Sequence, residues 1–308
     1  MSRSESNVQR SVTRAEAGQS ARQRLGTLLE SFTVGPDGIY CSSVPVSVGD
    51  QSAERLSRAR TADQRYDDYL AAIARNHSIP VMDHEVDRFL EHMPEGALIL
   101  DIGGCWGWHW RRLAARRPDV AVLIIDFVHA NLLHAKNVLG PLVGSQIALM
   151  SADATALPFA DAGAAQPGFN GVWTVQVFQH IPDFARACRE ARRVLTMGGH
   201  FINYSLHITP LNRLLRRAVG KPFHVEGMLE SASFHLNRAT NLQRKVVGDI
   251  FRSPVVERYT ECLFHPDLRF TRSARHNSVL GRLDCLLGEL PWLGRWIGRQ
   301  RSFAAVKL

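Results

Sequence analysis

A chain of 308 residues with 45% apolar and 21% charged content has room for one large α/β domain with additions or for two small domains, and its composition is that of a globular protein. No run of about 18 uninterrupted apolar residues occurs, so no spanning helix is expected. Five cysteines (Cys41, Cys105, Cys188, Cys262 and Cys285) are widely spaced and form no CxxC pair, which speaks against a disulfide framework or a cysteine-rich zinc site.

The amino-terminal stretch MSRSESNVQRSVTRAEAGQSARQR is polar and poor in aromatics, and residues 1–60 are expected as a largely disordered or loosely packed extension. It lacks the apolar core of a secretory signal, so a cytoplasmic protein is the expectation. Residues 61–308 are expected as the folded domain. From about Thr61, Tyr66, Tyr69, Leu70, Ile73 and Ala74 fall at helical spacing. A second helix over roughly His84 to His92 leads to the turn Pro94-Glu95-Gly96.

The period then changes. Apolar runs at 97–100, 120–125, 146–150, 171–177 and 200–204 alternate with helical segments at 111–116, 131–138 and 184–194. Short apolar runs bounded by turns and separated by helices predict strands of a doubly wound, mostly parallel sheet covered on both faces. The turn Met197-Gly198-Gly199 precedes the fifth run. Beyond it, Ile208–Val219 reads as an amphipathic helix with Thr209 as cap and Pro210 at its first position. Val255–Phe264 and Ser302–Val306 read as late strands, suited to an antiparallel edge pair. A helical segment, Val279–Ile297, lies between them and breaks at Pro291.

The segment Leu98-Ile-Leu-Asp101-Ile-Gly103-Gly104-Cys105-Trp106-Gly107 puts glycines at a strand-to-helix turn, where backbone can approach a ligand closely. A dinucleotide fingerprint requires Gly-x-Gly-x-x-Gly. Counted from Gly103 the required positions hold Cys105 and Trp108, and from Gly104 they hold Trp106 and His109, so that reading fails. Asp126 ends the next strand 25 residues after Asp101, close to the offset expected of an acid that accepts from a ribose diol.

The loop instead resembles the acidic-x-Gly-x-Gly-x-Gly motif of class I S-adenosylmethionine-dependent methyltransferases, with Cys105 in place of the central glycine. Four further stretches resemble the ubiquinone/menaquinone-type (type 11) branch of that family. They are Asp126 with the helix opening after it, Asp153-Ala-Thr-Ala-Leu157-Pro158-Phe159, the His180-Ile-Pro-Asp183 segment, and Arg193-Val-Leu-Thr-Met-Gly198-Gly199. The resemblance implies a seven-stranded Rossmann-like sheet with helical amino-terminal and carboxyl-terminal lid additions. It also implies a cofactor half over 97–204 and a substrate-covering insertion over about 205–250.

S-adenosyl-L-methionine is the implied cofactor. Asp101, Gly103, Gly104, Gly107, Asp126, Phe127, Asp153, Ala154 and Gln176 are its implied contacts. His180 is a candidate base for an oxygen acceptor, because such an acceptor must lose a proton. His207 and His224 are weaker candidates, and the rings of Trp106, Trp108 and Trp110 are expected mainly to pack against the sheet.

The net charge of +8 sits at the end of the chain: 201–308 holds 17 Lys/Arg against 8 Asp/Glu. Arg213, Arg216, Arg217 and Lys221 suit an anionic substrate or peripheral contact with a membrane. The expected acceptor is a small molecule, most simply a hydroxyl of a metabolite or sugar. Lipid-linked, quinone-type or RNA acceptors and a non-catalytic binding module are the alternatives. Neither a metal nor a nucleic-acid partner is expected. Asp37–Val46 is similar to a small zinc knuckle but keeps only one cysteine, Cys41, and the chain lacks the Asn/Asp-Pro-Pro-Tyr/Phe motif of amino-directed enzymes.

Overall fold

The computed structural model describes residues 2–42, 69–163, 168–207, 209–218, 220, 240–264 and 274–308. Helix α1 (Ser2–Leu29) is followed by two very short strands, β1 (Thr33–Val34) and β2 (Tyr40–Cys41). Helices α2 (Tyr69–Asn76) and α3 (Ile79–Glu91) lead into β3 (Leu98–Ile102), α4 (Leu113–Arg116), β4 (Ala121–Asp126), α5 (His129–Leu139) and β5 (Ile147–Ser151). Next come β6 (Phe169–Val175), α6 (Phe184–Val194), β7 (Leu195–Leu206), α7 (Pro210–Ala218) and α8 (Asn241–Phe251). The chain closes with β8 (Val256–Thr260), α9 (Ala274–Leu287), α10 (Pro291–Ile297) and β9 (Gln300–Val306).

Among the described residues, one sheet gathers nine strands in the order β1-β2-β5-β4-β3-β6-β7-β9-β8. The pairings β3–β4, β4–β5, β3–β6 and β6–β7 are parallel, whereas β9 runs antiparallel to both β7 and β8. The count is nine rather than the predicted seven. The two extra strands come from the amino-terminal extension, where β2 pairs in parallel with the edge strand β5 and β1 pairs back on β2. Two-residue strands carry no readable alternation, so the sequence did not reveal them.

The strands at the centre are buried along their whole length, all five positions in β3 and all six in β4. Two apolar clusters form as a result, one on each face. The extension itself also differs from expectation. Over Ser2–Leu29 it is helical, and Ala21, Leu25, Leu28 and Leu29 are buried in the core beneath β3 and β4. These residues form a one-sided stripe at spacings of four, three and one. The stripe lies at the carboxyl end of the helix, behind a polar opening that dominates the composition.

Local signals start two of the helices. Asp183 caps α6, its side chain accepting from the Arg186 amide at 2.8 Å. Thr240 and Gln243 form a reciprocal capping box at the start of α8. The turn predicted at Met197-Gly198-Gly199 lies inside β7, at an irregularity in the pairing with β6, and Gly198 takes a positive φ there. Of the calls beyond β7, Lys221 and His224 lie outside the described residues, as do residues 221–239 of the expected covering insertion.

Candidate active site

Strand order reverses at β3, whose neighbours β4 and β6 lead the chain to opposite sides, and a crevice opens there at the carboxyl ends of the strands. The crevice is a cavity of about 640 Å³. That volume lies within the roughly 300–1,000 Å³ typical of small-molecule sites.

The loop after β3 builds the floor. The amides of Gly103 and Gly104 both donate to the Ile125 carbonyl, at 2.7 and 3.2 Å, which folds the loop over the end of β4. Gly103 has a φ of +68°, and a Cβ there would come within 2.4 Å of Val177. At Gly104 a Cβ would meet the Asp101 carboxylate at 2.3 Å. Both positions therefore require the missing side chain. Gly107 also needs its positive φ, but what its Cβ would strike is Leu139 and Ile124, so it serves the packing of α5 and does not line the cavity.

Cys105, at the position where the family motif has glycine, still adopts the glycine conformation with a φ of +50°. Its amide donates to Asp126 Oδ2 at 3.1 Å. Gln176, just past β6, is likewise left-handed at a φ of +58°. Two strained non-glycine residues thus face the same cavity, a pattern that functional sites favour.

The structure brings Asp101, Gly103, Gly104, Asp126, Phe127, Asp153, Ala154, Gln176 and His180 together around this one cavity. Asp101 is buried and accepts from Trp110 Nε1 at 2.7 Å. Burial pushes its carboxyl up to about 7, the Trp110 bond opposes that rise, and the charge of Asp126 adds to it. Asp126 accepts from the Val128 amide at 2.8 Å as well as from Cys105, so backbone donors fix both oxygens. Asn131 Nδ2 also approaches both oxygens, at 3.4 Å each. Asp153 is held at Oδ1 by the amide and hydroxyl of Thr155, both at 2.8 Å.

His180 closes a short 3-10 turn after β6. Gln179 Oε1 accepts from the Leu206 amide at 2.8 Å, which assigns Nε2 as the amide nitrogen that meets His180 Nε2 at 3.1 Å. His180 Nε2 is therefore the acceptor and the ring proton sits on Nδ1.

Several wall residues carry no motif signal. His77, His109, Asn131 and Arg75 reach the cavity from α5, from the helical turn after the glycine loop, and from the end of α2. Burial lowers both His77 and His109 to about 3, so both rings are neutral. Two of the three tryptophans depart from the packing expectation, because Trp106 and Trp108 line the cavity and only Trp110 packs under the sheet against Trp173. His207 does not reach the cavity; its ring lies against Tyr259. Among the described residues no His, Cys, Asp or Glu cluster has metal-binding geometry.

The residues present fit a nucleoside sulfonium. Three carboxylates line one cleft, a glycine floor excludes side chains, and the side-chain nitrogens of Gln176 and Trp108 in its wall are buried without partners. Residues 100–203 match the model of a family described as a methyltransferase domain. This segment is a class I methyltransferase domain of the type 11 branch.

The chain is 34% identical over 136 residues to a malonyl-[acyl-carrier protein] O-methyltransferase of Geobacter sulfurreducens, a match covering 44% of this chain and 46% of that protein. The chain thus spans less than half the length of that curated relative. Among solved structures, a [4+2]-cyclase named SpnF aligns with a TM-score of 0.53 at 16% identity, over 86% of this chain and 99% of that one. A phosphoethanolamine N-methyltransferase of Haemonchus contortus aligns with a TM-score of 0.47 at 16% identity, over 73% of this chain and 52% of that one.

Proposed function

We propose that this chain is an S-adenosylmethionine-dependent methyltransferase that methylates an oxygen of a small molecule. The observation that carries the reading is the single cavity shared by Asp101, Asp126 and Asp153, each at or just past the carboxyl end of a parallel strand, inside a methyltransferase domain.

Asp126 would hold the ribose hydroxyls, Asp153 and Ala154 the adenine edge, and Asp101 the amino group of the methionine end, with Gly103 and Gly104 beneath it. Bound there, S-adenosylmethionine supplies an electrophilic methyl group on a sulfonium. The chain contributes alignment of the acceptor for in-line displacement, which supplies much of the acceleration in such reactions. The acceptor meets the outer wall formed by Ile73, Arg75, His77, Met82, Trp108 and His109.

A hydroxyl acceptor needs a base, and His180 fills that role once the Gln179 amide is displaced from its Nε2. A second reading follows from Arg75, the one formally charged side chain in this outer wall. An acidic acceptor paired with Arg75 would present a carboxylate oxygen that is already deprotonated and needs no base, as the name of the Geobacter relative also suggests.

Calorimetry with S-adenosylmethionine and its demethylated product tests the cofactor assignment. Asp126→Ala is expected to weaken binding by about 2 kcal/mol, the worth of charge-assisted hydrogen bonds. Unchanged affinity in that variant would refute the ribose role, and absence of binding to the wild type would end the enzyme reading. The pH dependence of turnover separates the acceptors. A hydroxyl acceptor gives an alkaline-rising limb that His180→Ala removes; a carboxylate acceptor gives a rate flat above its own ionisation and insensitive to His180.

A further inference from the structure

Helices α9 and α10 are inverted relative to ordinary surface helices. The positions they bury are small or polar: Gly281 backs onto Pro80, Gly294 onto Tyr259, and Asp284 accepts from the Cys262 and Leu263 amides at 2.6 and 3.2 Å. Five of their large apolar side chains are exposed instead, while Leu280, Leu287, Leu293 and Ile297 are half-buried. Val279, Leu283 and Leu286 form one stripe at spacings of four and three, and Trp292 and Trp296 lie one turn apart. Exposure is 68% for Leu286, 69% for Trp292 and 61% for Trp296. Helix α10 packs against α7, which adds Leu214 at 65% exposure.

Isolated exposed apolar residues are normal, but a concentrated patch with two tryptophans marks a surface that meets something apolar. The charge on these helices identifies what it meets. Arg217, Arg282 and Arg295 are exposed around the patch. The acids of α9 and the turn after it are already engaged, Asp284 by backbone amides and Glu289 by Arg258 at 2.8 Å and Arg88 at 3.2 Å. The uncompensated charge of the described face is therefore positive. Leucine and tryptophan beside unpaired arginines is the composition of a segment lying in the plane of an anionic bilayer. Tryptophan suits that depth, because its ring is apolar while its N–H stays hydrated. No helix among the described residues is long and apolar enough to cross a membrane, so the contact is peripheral.

We propose that the face built by α9, α10 and α7 docks on the surface of an anionic lipid bilayer. The idea is independent of the acceptor chemistry, though α9 also packs against α2, the helix that carries Arg75 to the cavity.

Sedimentation of the full chain with vesicles tests it. Vesicles of phosphatidylcholine with phosphatidylglycerol should bind the protein at least about tenfold more tightly than phosphatidylcholine alone, and added salt should weaken the binding. The double variant Trp292→Glu/Trp296→Glu should lose at least about tenfold in vesicle affinity while its melting temperature and cofactor-product affinity stay unchanged. Should that variant fold poorly, quenching of wild-type tryptophan fluorescence by brominated lipid gives the same answer without substitution. The proposal is overturned if the wild type stays in the supernatant with anionic vesicles, if the folded double variant binds them undiminished, or if brominated lipid fails to quench. Dimerisation abolished by the same double variant would assign the face to a second copy and overturn it too.

Discussion

At the carboxyl ends of β3 and β4, Asp101 is buried with Trp110 as its donor and its carboxyl is pushed up to about 7, while the side-chain nitrogens of Gln176 and Trp108 lack partners nearby. Around β8 and β9 the charges are arranged in the opposite way. Arg258 bridges Glu85 at 3.1 Å and Glu289 at 2.8 Å, Tyr204 donates to Glu85 at 2.7 Å, Arg301 holds Glu257, and Arg299 holds Glu261 at 2.6 Å. The hydrogen bonds of Arg258, foremost among the causes, hold Glu289 down to about 2. One edge holds its carboxylates with backbone and indole donors, and the other pairs its carboxylates with arginines, although Arg258 Nε, Thr260 Oγ1 and Ser302 Oγ there are buried without hydrogen-bond partners. The difference teaches where stability and binding are divided in this fold, since an unmet polar group destabilises the free protein and becomes affinity when a ligand meets it.

The sharpest way to break this contrast is Glu261→Ala. Glu261 is 1% exposed and also accepts from the Ser78 amide at 3.1 Å, so its loss leaves Arg299 and a buried N–H without their partner. A loss of about 3 kcal/mol in denaturant unfolding is expected, with little change in cofactor affinity. Gly103→Ala should affect both properties. Strain and the clash with Val177 should remove about 2 kcal/mol of stability, and the distorted floor should weaken cofactor binding in the same samples.

The pH dependence sharpens the comparison further. Because the Asp101 carboxyl is raised, the folded chain holds a proton that the unfolded chain has already lost, so stability falls as pH climbs from the ordinary carboxylate range toward about 7. Affinity for a ligand ammonium runs the other way, rising through about 7 as Asp101 ionises, by roughly tenfold across two pH units. Calorimetry over that range checks the rise, and Asp101→Asn should flatten both trends. The smallest effect is expected from Cys105→Gly, which relieves a positive φ but frees the unfolded chain, for a gain of no more than about 1 kcal/mol in thermal melting.

Much of the cavity rim was legible in the sequence. Asp101 and Asp126 each terminate an apolar run and Asp153 lies shortly after a third, and in a parallel sheet all such ends lie on one side, so the order of runs along the chain already implies a shared rim. The glycines were legible for the same reason, as turn residues between strand and helix. Gly107 was readable as a glycine but not as a packing residue, because the Leu139 that it accommodates is distant in sequence.

What the sequence by itself determined is therefore what is local: which of the longer apolar runs are strands, roughly where these end, and which turns demand glycine. Tertiary structure alone decided which distant groups meet. It placed His77 and His109 in the cavity wall and set the Gln179 amide against His180, fixing that ring's proton. It also tucked the stripe of α1 beneath the sheet and turned the tryptophans of α10 outward. The physical reason is that periodicity reports only that a helix has an apolar face. Whether the face is covered depends on shape and on the glycines that bring backbones together, and those contacts exist only once the chain has folded.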